Sequence, residues 1–108
     1  MFVAAFYSLI KKVLKMLSNL IVSYDLHATG QNYDAVIKSI KSLGGWAHIQ
    51  GSIWYVNSQF NAEQAAKHVW GNMDENDSLI IVDSVKNEAY WYNLANEVSN
   101  CIQANWNR

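Results

Sequence analysis

The sequence predicts an α+β domain built on an antiparallel four-stranded sheet, and three observations lead there. Short runs rich in Ile, Val, Trp and Tyr stand at residues 19–25, 46–49, 52–56 and 78–83. Apolar residues at helical spacing fill the stretches between the first and second runs and between the third and fourth. The second and third runs are separated mainly by Gln50-Gly51, a hairpin connection. The resulting order, βαββαβ, is the split βαβ pattern of ferredoxin-like folds. Its usual strand order is 4-1-3-2, antiparallel, with both helices on one face. The open face then needs a cover, from terminal helices, a second subunit or both.

Residues 1–18 read as an amphipathic N-terminal helix or extension, and residues 19–108 as the domain with a C-terminal helix. Phe2, Phe6, Leu9, Ile10, Val13, Leu14 and Leu17 share one helical face, with Ser8, Lys11, Lys12 and Lys15 opposite. Three readings of this segment stand: attachment to a membrane surface, packing on its own domain or on a second subunit, and an extension upstream of a start at Met16. Three lysines are a weak membrane signal, so membrane contact through residues 1–17 is not expected. The charge follows the apolar run instead of preceding it, unlike a secretory signal.

Leu20-Ile21-Val22 runs without alternation, which suits a strand covered on both faces or centrally placed. Thr29-Gly30-Gln31-Asn32 reads as a turn with Asn32 as N-cap. Tyr33, Val36, Ile37, Ile40 and Leu43 form the inner stripe of the first helix, and Gly44-Gly45 stops it. Asn61 caps the next helix, with Gln64 placed for a capping box and Ala65, Ala66, Val69, Trp70 and Met73 inside. After the strand at 78–83 and a turn at 84–87, Trp91, Leu94, Ala95, Val98 and Ile102 mark a last helix over residues 89–106.

With 108 residues, 51% of them hydrophobic, the chain holds enough apolar material for one core. It contains no proline and no repeat that would mark a linker. The net charge is −1, but from Leu20 onward five basic residues stand against nine acidic ones. Nucleic-acid binding is driven by Lys and Arg contacts to phosphate, so this balance argues against tight, non-specific binding to DNA or RNA and leaves room for a local patch. Cys101 is the single cysteine, so there is no disulfide partner within the chain and no Cys/His pattern for zinc. A cytoplasmic location is expected.

Tyr24-Asp25-Leu26, Gly30-Gln31-Asn32-Tyr33-Asp34, Ile40-Lys41-Ser42-Leu43-Gly44, Ser52-Ile53-Trp54-Tyr55-Val56 and Asn76-Asp77-Ser78-Leu79-Ile80-Ile81-Val82 follow one another in order. This series resembles the small ferredoxin-like proteins related to CRISPR-associated protein two and the VapD-type endoribonucleases, and is most similar to their stand-alone "SinR family" members. The resemblance covers about residues 19–83. It implies a homodimer acting on RNA or DNA, with Asp25, at the end of the first strand, as catalytic residue and Mg²⁺ ligand of a metal-dependent endoribonuclease, one from each subunit. Two departures stand out. The segment after Asp25, His27-Ala28-Thr29-Gly30-Gln31, lacks the family's basic residues, and the family's fifth strand is replaced by the last helix. The alternative is a non-catalytic dimeric interaction or regulatory protein that keeps only the fold, for example in conflict between a phage or plasmid and its host.

Other candidates are weaker. Asp83 also ends a strand, but antiparallel order sends it to the opposite edge of the sheet from Asp25, so a turn role is expected. His27 follows Asp25 closely enough to shuttle a proton, against the simpler reading of an exposed loop histidine. His48 and His68 have nothing linking them to Asp25. Ser23 has no base beside it. Trp46, Trp54 and Tyr55 have the chemistry to stack bases, but packing in the core or a dimer interface is the expected role.

Overall fold

The structure is a computed structural model that describes residues 17–27 and 33–106. The amphipathic reading of residues 1–16 and the turn at 29–32, with its Asn32 cap, lie outside the described residues. In chain order the elements are β1 (Ser18–Asp25), α1 (Tyr33–Lys41), β2 (Gly44–Gln50), β3 (Ile53–Ser58), α2 (Ala62–Trp70), β4 (Ser78–Asp83), β5 (Glu88–Tyr92) and α3 (Asn96–Asn105). The strands form one sheet of order β2-β3-β1-β4-β5, antiparallel throughout. The first four strands take the expected order, and the molecule is α+β.

One expectation needs correction and another is narrowed. The sheet has five strands, because Glu88–Tyr92 forms β5 and the last helix begins only at Asn96. The helical spacing of Trp91, Leu94, Ala95 and Val98 was misleading. Asn87 and Asn93 sit at positive φ on either side of the strand, a conformation asparagine tolerates well. Between them the aromatic run Tyr90-Trp91-Tyr92 favours a pleated surface. The expectation that a helix replaces a fifth strand after the fourth is therefore overturned. The β1 reading is narrowed to one of its two alternatives: the strand is central, between β3 and β4, and while Leu20, Val22 and Tyr24 are buried, Ile21 remains 37% exposed on the other face.

One face of the sheet carries the core. α1 lies over β2 and β3, and α2 over β4 and β5. Leu20, Val22, Val56, Leu79 and Ile81 project from the strands against Val36, Ile40, Ala65, Ala66 and Val69 of the helices. α2 begins with the capping box foreseen from Asn61 and Gln64: each side chain accepts from the other's backbone N–H, at 2.8 and 3.0 Å. Trp70 stacks on Tyr92 at 4.7 Å, which ties the end of α2 to the edge strand β5.

The opposite face is formed by Ile21, Ser23 and Asp25 of β1, Ile53 and Tyr55 of β3, and Ile80 and Val82 of β4, by the pairing register. Neither α1 nor α2 lies on it. α3 meets it at the β5 side, where the Trp91 indole donates to Ser99 Oγ at 3.0 Å. α3 buries no residue and has no side-chain cap at Ala95.

Candidate functional site

Asp25 is the last residue of β1, opposite Ser78 of β4, and its side chain is exposed on the open face. The cleft beside it, lined among others by Ser23, Ser78 and Leu94, has a volume of about 70 Å³. That is room for about two waters at ~30 Å³ each, not for a nucleotide. The Ser78 hydroxyl is already engaged, donating to the Asn93 carbonyl at 2.8 Å.

The chain beyond Asp25 is held from below by Asp77, which is fully buried. One of its carboxylate oxygens accepts from the His27 backbone N–H at 2.8 Å and the other from that of Asp74 at 2.7 Å. Asn93 closes the arrangement by donating to the carbonyls of Asp77 and Glu75 at 2.8 and 3.1 Å. Asp77 thus fixes where β1 ends and where Asp25 stands. In the sequence Asp77 stands out only as part of the Asn76-Asp77-Ser78 segment that opens the strand at 78–83.

Asp83 lies far from Asp25. It pairs with Leu20, five residues up β1, about 17 Å away at ~3.4 Å per residue. The two carboxylates share no site. Asp83 is buried, and one oxygen accepts from the backbone N–H of Val85 at 3.0 Å and of Asn19 at 3.2 Å. The turn role is therefore joined by a cross-strand one.

A magnesium site needs about six oxygen ligands in a close octahedron. Asp25 is one carboxylate, and no group of three His, Cys, Asp or Glu side chains comes together among the described residues. Among the described residues of one chain, Asp25 thus offers a cation a single carboxylate. His27 is exposed and contributes its backbone N–H to the Asp77 clamp. His68 bonds to the Ser42 hydroxyl at 3.0 Å on the helical side. Ser23 lies on the open face beside Asp25 without a histidine neighbour in its cleft.

The aromatic trio is divided between the two faces. Tyr55 sits on the open face, and its hydroxyl donates to Asn19 Oδ1 at 2.6 Å. Trp54 is in the core at 3% exposure, as expected, but Trp46 is 47% exposed. His48 stacks on Trp54 with 4.1 Å between ring centroids and 12° between planes. Two ionisable groups elsewhere are perturbed. Burial, then the neighbouring Tyr90, raises the Tyr92 phenol above its ordinary value. The hydrogen bond from Lys67 to Glu63, 2.7 Å long on the surface of α2, raises Lys67.

The exposed Cys101 is a free thiol, and among the described residues no helix is long and apolar enough to cross a membrane. No family model, no curated protein and no solved structure matches the chain.

Proposed function

We propose that the chain is a dimeric interaction module of ferredoxin-like type, in which two copies pair through the open face of the sheet. The observation that carries this reading is the make-up of that face. Ile21, Ile53, Tyr55, Ile80 and Val82 lie together on it, and Ile21 is 37% exposed at its centre. Asp25, at the rim, is the one charged side chain that the described strands place there. An apolar centre depleted of charge is the composition of a protein interface. Light scattering at micromolar protein gives twice the chain mass for the wild type and the single-chain mass for Ile21→Lys. A monomeric wild type overturns the reading.

The exposed position of Asp25 favours a second reading, a metal-dependent endoribonuclease completed by two copies. The Asp25 carboxylate has no hydrogen-bond partner among the described residues, and a two-fold axis passing beside Asp25, rather than through Ile21, would bring it to its mate. Asp25 and its mate would hold a divalent cation, which would supply Lewis acidity toward phosphate. RNA and DNA are incubated with Mg²⁺, Mn²⁺ or EDTA, beside Asp25→Ala. Cleavage that requires both the metal and Asp25 supports this reading. Cleavage that survives EDTA and Asp25→Ala, or no cleavage under any condition, removes it and leaves the interaction module.

A further inference from the structure

We infer that the exposed edge formed by Trp46, His48 and the last turn of α1 binds single-stranded nucleic acid, with the rings stacking bases and Lys38 and Lys41 holding phosphates. This goes beyond the open-face reading and depends on neither the dimer nor Asp25, because it uses the other side of the sheet.

Charge distribution points to the ligand. All nine carboxylates of the chain lie outside residues 35–62, a stretch that holds Lys38, Lys41 and His48. Asp34 stands one turn before Lys38 on α1, but past it no carboxylate interrupts the stretch that carries Lys41, Trp46 and His48. Both lysines belong to the last turn of α1, which packs over β2 and β3. Of the other two lysines in the described residues, Lys67 is paired with Glu63, and Lys86 lies in the turn before β5.

Ring geometry supplies the second half of the site. β2 is an edge strand and every one of its residues is exposed. Trp46 and His48 pair with Val56 and Trp54, so both rings project on the helical side. Alternation along the strand sets them about 7 Å apart. The platform is built in advance of any ligand. His48 lies flat on the buried Trp54, and its Nε2 is fixed by the Gly51 carbonyl at 2.7 Å. Trp46 meets Trp54 edge-on at 5.5 Å. Lys41 Nζ stands over the Trp46 ring, 4.4 Å from its centre, so the cation already rests on one face of the indole. A nucleotide presents the matching pair, a flat base and a phosphate. Duplexes hide their bases, which restricts the site to single strands.

The test is fluorescence anisotropy with dye-labelled 12-nucleotide single strands of RNA and of DNA, in EDTA so that no metal chemistry enters. Circular dichroism confirms that each variant is folded. Saturable binding is expected at 50 mM salt. Two phosphate contacts give a slope of log affinity against log salt of about −1.4, roughly a sevenfold loss between 50 and 200 mM. Trp46→Ala weakens binding about tenfold or more, whereas Trp46→Phe, which keeps a stacking ring, stays within about threefold. Lys41→Ala roughly halves the salt slope. The relative affinity for the RNA and DNA strands identifies the preferred backbone. Absence of binding at 50 mM salt, equal binding to a duplex of the same length, or unchanged affinity in folded Trp46→Ala each overturns the proposal.

Discussion

Asp77 is fully buried with both carboxylate oxygens bonded to backbone N–H groups, while Asp25 on the neighbouring strand is exposed. Their substitutions therefore have opposite consequences. Asp77→Ala strips the N–H groups of His27 and Asp74 of their acceptors, and hydrogen bonds to a charged group are worth about 1.5–3 kcal/mol each. The expected loss is about 2–4 kcal/mol in urea unfolding, the upper part of that sum tempered by water reaching the loop. Asp25→Ala changes stability by less than about 0.5 kcal/mol, as exposed substitutions do, so a functional effect at Asp25 is separable from folding. Tyr92 provides a pH dependence. Its folded value is raised above 10.0 because burial favours the neutral phenol. The stabilisation is fully present below pH 10 and is lost as pH rises through the folded value. Lys67, raised by Glu63, acts in the same direction. Tyr92→Phe keeps the ring that stacks on Trp70 and removes the ionisation. Its melting temperature should fall less steeply above pH 10 than that of the wild type, and a parallel fall in both proteins would show that Tyr92 carries no part of the dependence.

Adjacent glycines at the start of β2 play different parts. A Cβ on Gly44 would collide with the backbone oxygen of Asn57, whereas one on Gly45 meets nothing within 4 Å. Gly44 faces Ser58, whose hydroxyl donates to the Leu43 carbonyl at 2.7 Å, so the first pair of the hairpin is closed tightly from both sides. Gly44→Ala should cost about 1–3 kcal/mol, as overpacking does, and Gly45→Ala less than about 0.5 kcal/mol. Thermal melts of the two single variants decide it, and equal melts would contradict the close approach. The pair was readable in the sequence as a helix stop; which of the two glycines is obligatory was not, since that depends on a strand from elsewhere in the chain. The same limit explains β5. Residues 88–92 have strand-forming aromatics, but their spacing with Leu94, Ala95 and Val98 also fits a helix, and what decides between the two is pairing with β4 and the Trp70–Tyr92 stack. The α2 capping box was fully readable because its parts lie three residues apart. The Asp77 clamp was not, because its bond to His27 spans 50 residues.

At the scale of the whole molecule, α1 and α2 on one side and exposed isoleucine on the other make folding and association partners in one equilibrium. Each copy that buries Ile21, Ile53 and Val82 against another removes apolar surface from water at about 25 cal/mol per Å², and anything that binds only the folded chain stabilises it by mass action. The melting temperature should accordingly rise with protein concentration, by a few degrees over a hundredfold range for a domain of this size. Ile21→Lys, which places a charge at the centre of the face, should melt at one temperature throughout that range. A wild type whose melting is independent of concentration would mean that the face is covered within the chain, and the apolar set Phe2, Phe6, Leu9, Ile10, Val13 and Leu14 would then be the segment to delete. Deletion of residues 1–16 from such a monomer should expose the face and bring the concentration dependence back. The two experiments together decide whether the face is covered by a second copy or by the chain's own first sixteen residues; only a second copy whose two-fold axis runs beside Asp25 could bring two carboxylates to one cation.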